Sequence, residues 1–158
     1  MIELNWFDWS LTEKNSELLR FVKLIIAFRH AHPILRHRHH LRNRDWKNTG
    51  YADITWHGTE AWHADWNGNV LAFLLNGQYV EEGHDPDDFI YVAMNMHWDA
   101  LPFEVPMLPP EYRWRMAVNT GMDAPEDIFA PGEEPLLEDQ QQVLAGGRSV
   151  CILVGRKN

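Results

Sequence analysis

One cysteine, Cys151, stands among 158 residues, so no disulfide can close within the chain, and a reducing, cytoplasmic setting is expected. Its neighbours Val150 and Ile152 read as strand, which makes the thiol a small buried hydrophobe and not a nucleophile. Long apolar runs are missing as well. No stretch approaches the roughly 20 residues that a bilayer crossing needs, so no membrane role is expected. The opening Met1-Ile2-Glu3-Leu4-Asn5-Trp6 has no basic segment leading into an apolar one, and no secretory signal is expected. Basic charge is scarce: 14 Lys and Arg against 23 Asp and Glu give a formal net charge of −9. Cations concentrate only in the Arg36–Arg44 region. Nucleic-acid binding needs clustered cations, so no nucleic-acid partner is expected, whereas a neutral polysaccharide is compatible with this charge. Neither G-x-G-x-x-G nor G-x-x-x-x-G-K-[ST] occurs, so no nucleotide or other cofactor is expected. Ser10, Ser16 and Ser149 lack the context of a nucleophile elbow.

What the chain does have is a globular balance, 45% hydrophobic and 23% charged residues, in a length that suits one domain with a true core. It also has eight tryptophans. Trp supplies apolar area to cores and flat faces to sugars or bases, and composition does not separate these uses.

The spacing predicts a helix from about Leu11 to about His30. Ser10-Leu11-Thr12-Glu13 has the form of a capping box, with Ser10 as N-cap and Glu13 reaching back. Pro33 disfavours continuation. Leu11, Leu18, Val22, Ile25 and Ile26 form one apolar stripe, and Phe21, Leu24 and Phe28 another. Two stripes fit a helix sandwiched between layers, one outside this chain, or a helix packed wholly within one domain. Periodicity does not choose between them.

After a basic, His-rich connection over 34–50 the texture changes to short apolar or alternating runs between turn formers. Seven strands are predicted: Tyr51–Trp56, Val70–Leu75, Phe89–Asn95, Phe103–Val105, Trp114–Val118, Gln142–Leu144 and Ser149–Val154. With no helices between them, they read as an antiparallel β-sandwich. The acidic, Pro-containing 121–139 reads as a long surface loop.

His30, His32, His37, His39 and His40 are dense, yet they lack helical i, i+4 spacing, a cysteine or a placed carboxylate. Arg36, Arg38 and Arg42 would repel a cation, so no metal site is expected. Glycoside hydrolysis needs two carboxylates across the scissile bond. Asp53, Glu60, Asp65, Glu81, Glu82, Asp87 and Asp88 mostly sit in loops, and nothing marks a pair held in a pocket; no catalytic residue is assigned. Trp56, Trp62 and Trp66 cluster in sequence. They read either as a stacking platform for glucose rings or as aromatics that close a core or seat the domain on a neighbour.

The segments also carry a family resemblance. Asn5-Trp6-Phe7-Asp8-Trp9-Ser10, the helix, and Arg29-His30-Ala31-His32-Pro33-Ile34-Leu35-Arg36 resemble the close of the catalytic barrel in bacterial glycogen-debranching enzymes and isoamylases of the α-amylase superfamily. Asp53-Ile54-Thr55-Trp56-His57-Gly58, Asp65-Trp66 and Leu71-Ala72-Phe73-Leu74-Leu75-Asn76-Gly77 resemble the opening strands of the C-terminal β-domain. Asn95-Met96-His97 through Phe103-Glu104-Val105-Pro106 resembles its N-x-H…F-x-x-P stretch. Trp114 with Asn119-Thr120, and Gly147-Arg148-Ser149-Val150, resemble the closing strands. The main departure is at Thr59–His63, where the family often carries a Gly/Pro-bearing loop.

The resemblance implies a mainly β chain: the last helix of a (β/α)8 barrel (1–32), a connection (33–50) and an antiparallel β-sandwich (51–158). In that superfamily the catalytic carboxylates come from barrel strands four, five and seven, all outside this chain. What is implied is thus a non-catalytic domain that stabilises the catalytic barrel of an α-1,6-glucosidase acting on glycogen or limit dextrin. Its partners would be that barrel and, through it, glucan. A glucan-binding module and a free-standing interaction protein are the alternatives. Within that scheme Leu18, Val22, Ile25 and Ile26 are expected to face the β-domain and Phe21, Leu24 and Phe28 the barrel. Alone, the chain would self-associate through the second stripe or cover it with Trp6, Phe7 and Trp9.

Overall fold

In the computed structural model, which describes residues 8–158, two helical pieces precede seven strands. They are α1 (Leu11–Lys14), α2 (Ser16–Ala31), β1 (Ile54–His57), β2 (Val70–Leu75), β3 (Phe89–Asn95), β4 (Leu101–Glu104), β5 (Tyr112–Asn119), β6 (Gln142–Ala145) and β7 (Ser149–Lys157). Every strand pairing is antiparallel. The order β1-β2-β3-β7-β5 forms a five-stranded sheet, and β4-β6 a separate ribbon. All seven predicted strands are present, β2 and β3 with the expected ends and the others with one or both ends shifted. β1 starts at Ile54 and not Tyr51, because the Asp53 carboxylate turns back to accept the backbone N–H groups of Arg42, Arg44 and Ile54 at 2.6, 3.3 and 2.9 Å.

Alternation along β3 sets the layers. Phe89, Tyr91 and Ala93 face one side, where they join Ala72, Leu74, Cys151 and Leu153 under the ribbon residues Phe103, Val143 and Ala145. Ile90, Val92 and Met94 face the other side with Leu75 and Val154, under α2 and Ile128. The sheet is buried on both faces, which explains why β3 reads as a continuous apolar run. Several buried polar groups of the core are paired: the Tyr91 hydroxyl donates to the Glu104 carbonyl (3.1 Å) and the Trp114 indole to the Pro106 carbonyl (2.9 Å). The Asn95 amide donates to the carbonyls of Ala145 and Gly146 at 3.1 and 2.9 Å. The Asn95-Met96-His97 motif is therefore a pin between the β3–β4 turn and β6, and Phe103 is its core anchor.

The helix differs from expectation in three ways. Ser10 forms no capping box. Its backbone is helical, with no side-chain cap bond, because its N–H and hydroxyl both donate to the Asp8 carboxylate, at 3.0 and 2.7 Å. The helix also breaks at Asn15 (φ −113°, ψ 38°), whose amide donates to the Leu11 carbonyl (3.1 Å), a local bond that competes with the helical ladder. Finally, the two stripes are exchanged except for Ile25, which packs against the sheet as expected. Phe28 is buried, and Phe21, Leu24 and Ile25 pack with it against the sheet. Leu11, Leu18, Val22 and Ile26 are exposed, as is Leu19. Phe21, Leu24, Ile25 and Phe28 follow i, i+3, i+4, i+7 spacing, and the ring of Phe28 extends the stripe onto His32, 4.5 Å away. The exposed residues lie on the adjacent strip of the helix. Trp9 is 75% exposed, and Trp6 and Phe7 lie outside the described residues.

Arg20 ties α2 to Asp127 and to the Ile128 carbonyl, in the segment expected to be a surface loop. That segment instead lies along the β5 edge. Ile128 bridges Val118, Leu136 bridges Arg115, and Ile128 and Glu134 are buried. Apolar residues spaced too widely for a strand signal anchor it.

Candidate functional site

β1 divides the three tryptophans. Trp56 lies opposite Phe73 in the register and contacts the rings of Phe73 (5.7 Å) and Trp66 (5.6 Å) on the helix side of the sheet. His57 points the other way, and Trp62 packs there, 5.0 Å from the His57 ring and 6.4 Å from that of Tyr51. Trp56 is half-buried, whereas Trp62 and Trp66 are 51% and 67% exposed. The three do not form one platform.

His57 organises the Trp62 side. It is fully buried and lies 5.8 Å from the Tyr91 ring. The Trp62 backbone N–H points at Nδ1 (2.7 Å), and the Thr55 hydroxyl lies 2.8 Å from Nε2. A backbone N–H can only donate, so Nδ1 accepts and Nε2 carries the proton to Thr55. Burial pushes the pKa down from 6.5 to about 4, and His57 is neutral at pH 7. Nothing in the alternating run Ile54–His57 marked this histidine beforehand, because its role is set by a loop residue five positions away.

Several of the remaining histidines and carboxylates serve the fold. His32 Nδ1 meets Asp87 Oδ1 at 2.8 Å, and the Ile34 N–H donates to Asp87 Oδ2 at 3.0 Å. Asp88 accepts from Arg156 Nε (2.9 Å), and Arg156 also donates to Glu134 (2.9 Å). His32, Asp87 and Asp88 are the residues with a metal-ligand composition among those described. Both Asp87 oxygens and one Asp88 oxygen are already engaged, and the Arg156 guanidinium supplies the local positive charge, so the cluster reads as a buried ion-pair network. Burial raises the Asp88 pKa against the pull of Arg156. Burial also pushes Glu134 upward, but backbone N–H donors and Arg156 outweigh it and hold the carboxyl low. For Asp53, the three backbone donors likewise outweigh burial and lower the pKa. Glu81 accepts from the Arg38 N–H (2.6 Å), which lowers it. His37 Nε2 donates to the Tyr79 carbonyl, and His30, His39 and His40 are exposed. Glu60, Asp65 and Glu82 are exposed as well.

The Cys151 thiol is buried, and burial pushes its pKa up to about 11, so it is inert as a nucleophile. Besides a pocket of about 480 Å³ lined by His37, His39, His40, Arg42 and Lys47, two surfaces stand out. One is the apolar strip of Leu11, Leu18, Leu19, Val22 and Ile26. The other is a cleft of about 590 Å³ beside Trp62.

Residues 55–149 match the family described as Isoamylase 1-3, C-terminal. The chain is 28% identical to the isoamylase of Flavobacterium sp, over 96% of this chain and 20% of that protein. It is 29% identical to chloroplastic isoamylase 3 of Oryza sativa subsp. japonica, over 82% of this chain and 15% of the relative. It is 28% identical to the glycogen operon protein GlgX homolog of Mycobacterium tuberculosis (strain ATCC 25618 / H37Rv), over 75% and 18%. The fold is similar to part of a pullulanase from Bacillus acidopullulyticus, with TM-score 0.62 at 18% identity, over 96% of this chain and 15% of that structure. The chain thus spans a fifth or less of the length of these curated relatives.

Proposed function

The chain belongs to the isoamylase 1-3 C-terminal domain family, and from that membership we propose that it is the non-catalytic C-terminal domain of an α-1,6-glucosidase that debranches glycogen or limit dextrin. In this reading residues 1–32 complete the catalytic barrel, 33–50 connect, and 51–158 form the β-domain. Hydrolysis proceeds by two carboxylates supplied elsewhere in the enzyme. Asp53, Asp87, Asp88 and Glu134 of this chain hold turns and ion pairs. One buried thiol suits a cytosolic setting.

One observation carries the reading. α2 is a bridge with a covered and an uncovered side. Its Phe21–Phe28 stripe rests on the sheet, while Leu11, Leu18, Leu19, Val22 and Ile26 present a contiguous apolar strip to water. Monomeric surfaces rarely leave such a strip uncovered. The occupant we assign to it is the catalytic barrel, since the match covers only a fifth or less of each of these curated relatives.

The test is a capture experiment. A bacterial isoamylase lacking its own C-terminal domain is produced with this chain, tagged. Co-purification is expected with the wild-type chain and is expected to disappear with Val22→Glu/Ile26→Glu. Equal capture by both would refute the docking assignment. Release of reducing sugar from glycogen by the chain alone, abolished by a substitution within it, would refute the non-catalytic role.

A further inference from the structure

We infer that the cleft beside Trp62 binds a single α-glucan chain, at a site separate from the strip on α2. Trp62 adopts φ +69°, the left-handed region, which a bulky aromatic residue enters only when its surroundings impose it. Two bonds impose it here: its own N–H donates to buried His57 Nδ1 (2.7 Å), and the Ala61 N–H donates to the Glu104 carboxylate (3.1 Å). The backbone of this strained residue satisfies buried His57, yet its indole is left 51% exposed. The strain holds a flat apolar face in a fixed pose at the mouth of the cleft. Tyr51 packs beside the indole, its ring centroid 6.4 Å away, and its hydroxyl donates to the carbonyl of Met107 at the cleft (2.7 Å). A platform ordered before the ligand arrives loses little entropy on binding.

The cleft is also lined by Glu104, Asp139, Gln141, Gln142 and Met107, and among the described residues no lysine or arginine lines it. That chemistry selects the ligand. A phosphate or nucleotide needs cations, and none are offered. A neutral sugar ring stacks its C–H face on the indole and gives its hydroxyls to carboxylates and amides. The volume suits a few sugar units. The α-linkage is the one element that rests on the debranching reading. Trp56 and Trp66, on the far side of β1, play no part.

Affinity electrophoresis of the chain in native gels containing glycogen tests the site. The wild-type chain should be retarded. Trp62→Gly removes the platform while placing the residue that best accepts φ +69°. It should keep or raise Tm and weaken retardation about tenfold or more. Trp98→Ala, at a 74% exposed tryptophan elsewhere, should change nothing. Gln141→Ala/Gln142→Ala, at two exposed side chains, should weaken retardation several-fold and covers the case in which Trp62→Gly fails to fold. Absence of wild-type retardation, or wild-type behaviour of both the glycine and the double alanine variants, overturns the site. Equal retardation by barley β-glucan overturns the α-glucan assignment. Because capture by the catalytic portion depends on Val22 and Ile26 and not on Trp62, failure here leaves the docking reading standing.

Discussion

Acidification should unload His57 in a calculable way. The ring is fully buried, faces Tyr91, Trp62 and the Thr55 hydroxyl, and has a folded pKa of about 4 against 6.5 unfolded. The neutral form is the native one, so below pH 6.5 the unfolded chain takes up a proton that the folded chain refuses. Stability is present above pH 6.5 and is lost as pH falls toward 4. The drop from 6.5 to about 4 corresponds to about 3 kcal/mol when fully developed. By the same linkage about 2 kcal/mol should be lost between pH 7.5 and pH 5. Carboxylates such as Asp53 and Glu134 add their own acid sensitivity, so the measurement is differential. Urea unfolding of the wild type and of His57→Gln is followed at pH 7.5, 5 and 4. Gln can accept from the Trp62 N–H yet does not titrate. The variant should be the less stable at pH 7.5, and the two stabilities should converge as pH falls, by about 2 kcal/mol at pH 5. Parallel curves would show that His57 is not the buried neutral group described, and the fixation of Trp62 would lose its basis.

The α2 strip should make the isolated chain associate: sedimentation is expected to depend on concentration for the wild type and to be monomeric for Leu18→Ser/Val22→Ser/Ile26→Ser, at unchanged Tm. Phe28→Ala should instead cost about 3–5 kcal/mol in denaturant unfolding, and the reverse ranking of the two stripes would sink the orientation of α2. Arg156→Met leaves Asp88 and the fully buried side chain of Glu134 without their cation. A loss of about 3 kcal/mol is expected, against at most about 1 kcal/mol for Arg38→Ala at the exposed Arg38–Glu81 pair, and equal losses would contradict the buried network.

Local pattern determined much of this protein. The spacing of turn formers and the runs at Val70–Leu75 and Phe89–Asn95 placed β2 and β3 to the residue, since those strands lie in mid-sheet and both periodicity and flanking turns mark them. The antiparallel, mainly β class followed from seven such runs without intervening helices. The inertness of Cys151 followed from its place between two β-branched residues. The partner of each surface was not written locally. Two stripes on one helix look alike in periodicity, and the sheet chose Phe21, Leu24, Ile25 and Phe28 because they fill the space above Ile90, Val92 and Val154. Ser10 had the sequence of a cap, yet the Asp8 carboxylate, two residues earlier, captured its hydroxyl. Trp56, Trp62 and Trp66 are neighbours in sequence but sit on opposite sides of β1, because strand alternation turns Trp56 and His57 apart and His57 then holds the Trp62 loop. Long-range contacts between residues tens of positions apart decide such matters, as in Asp87 with His32 and Arg156 with Glu134, and no window of sequence contains both members.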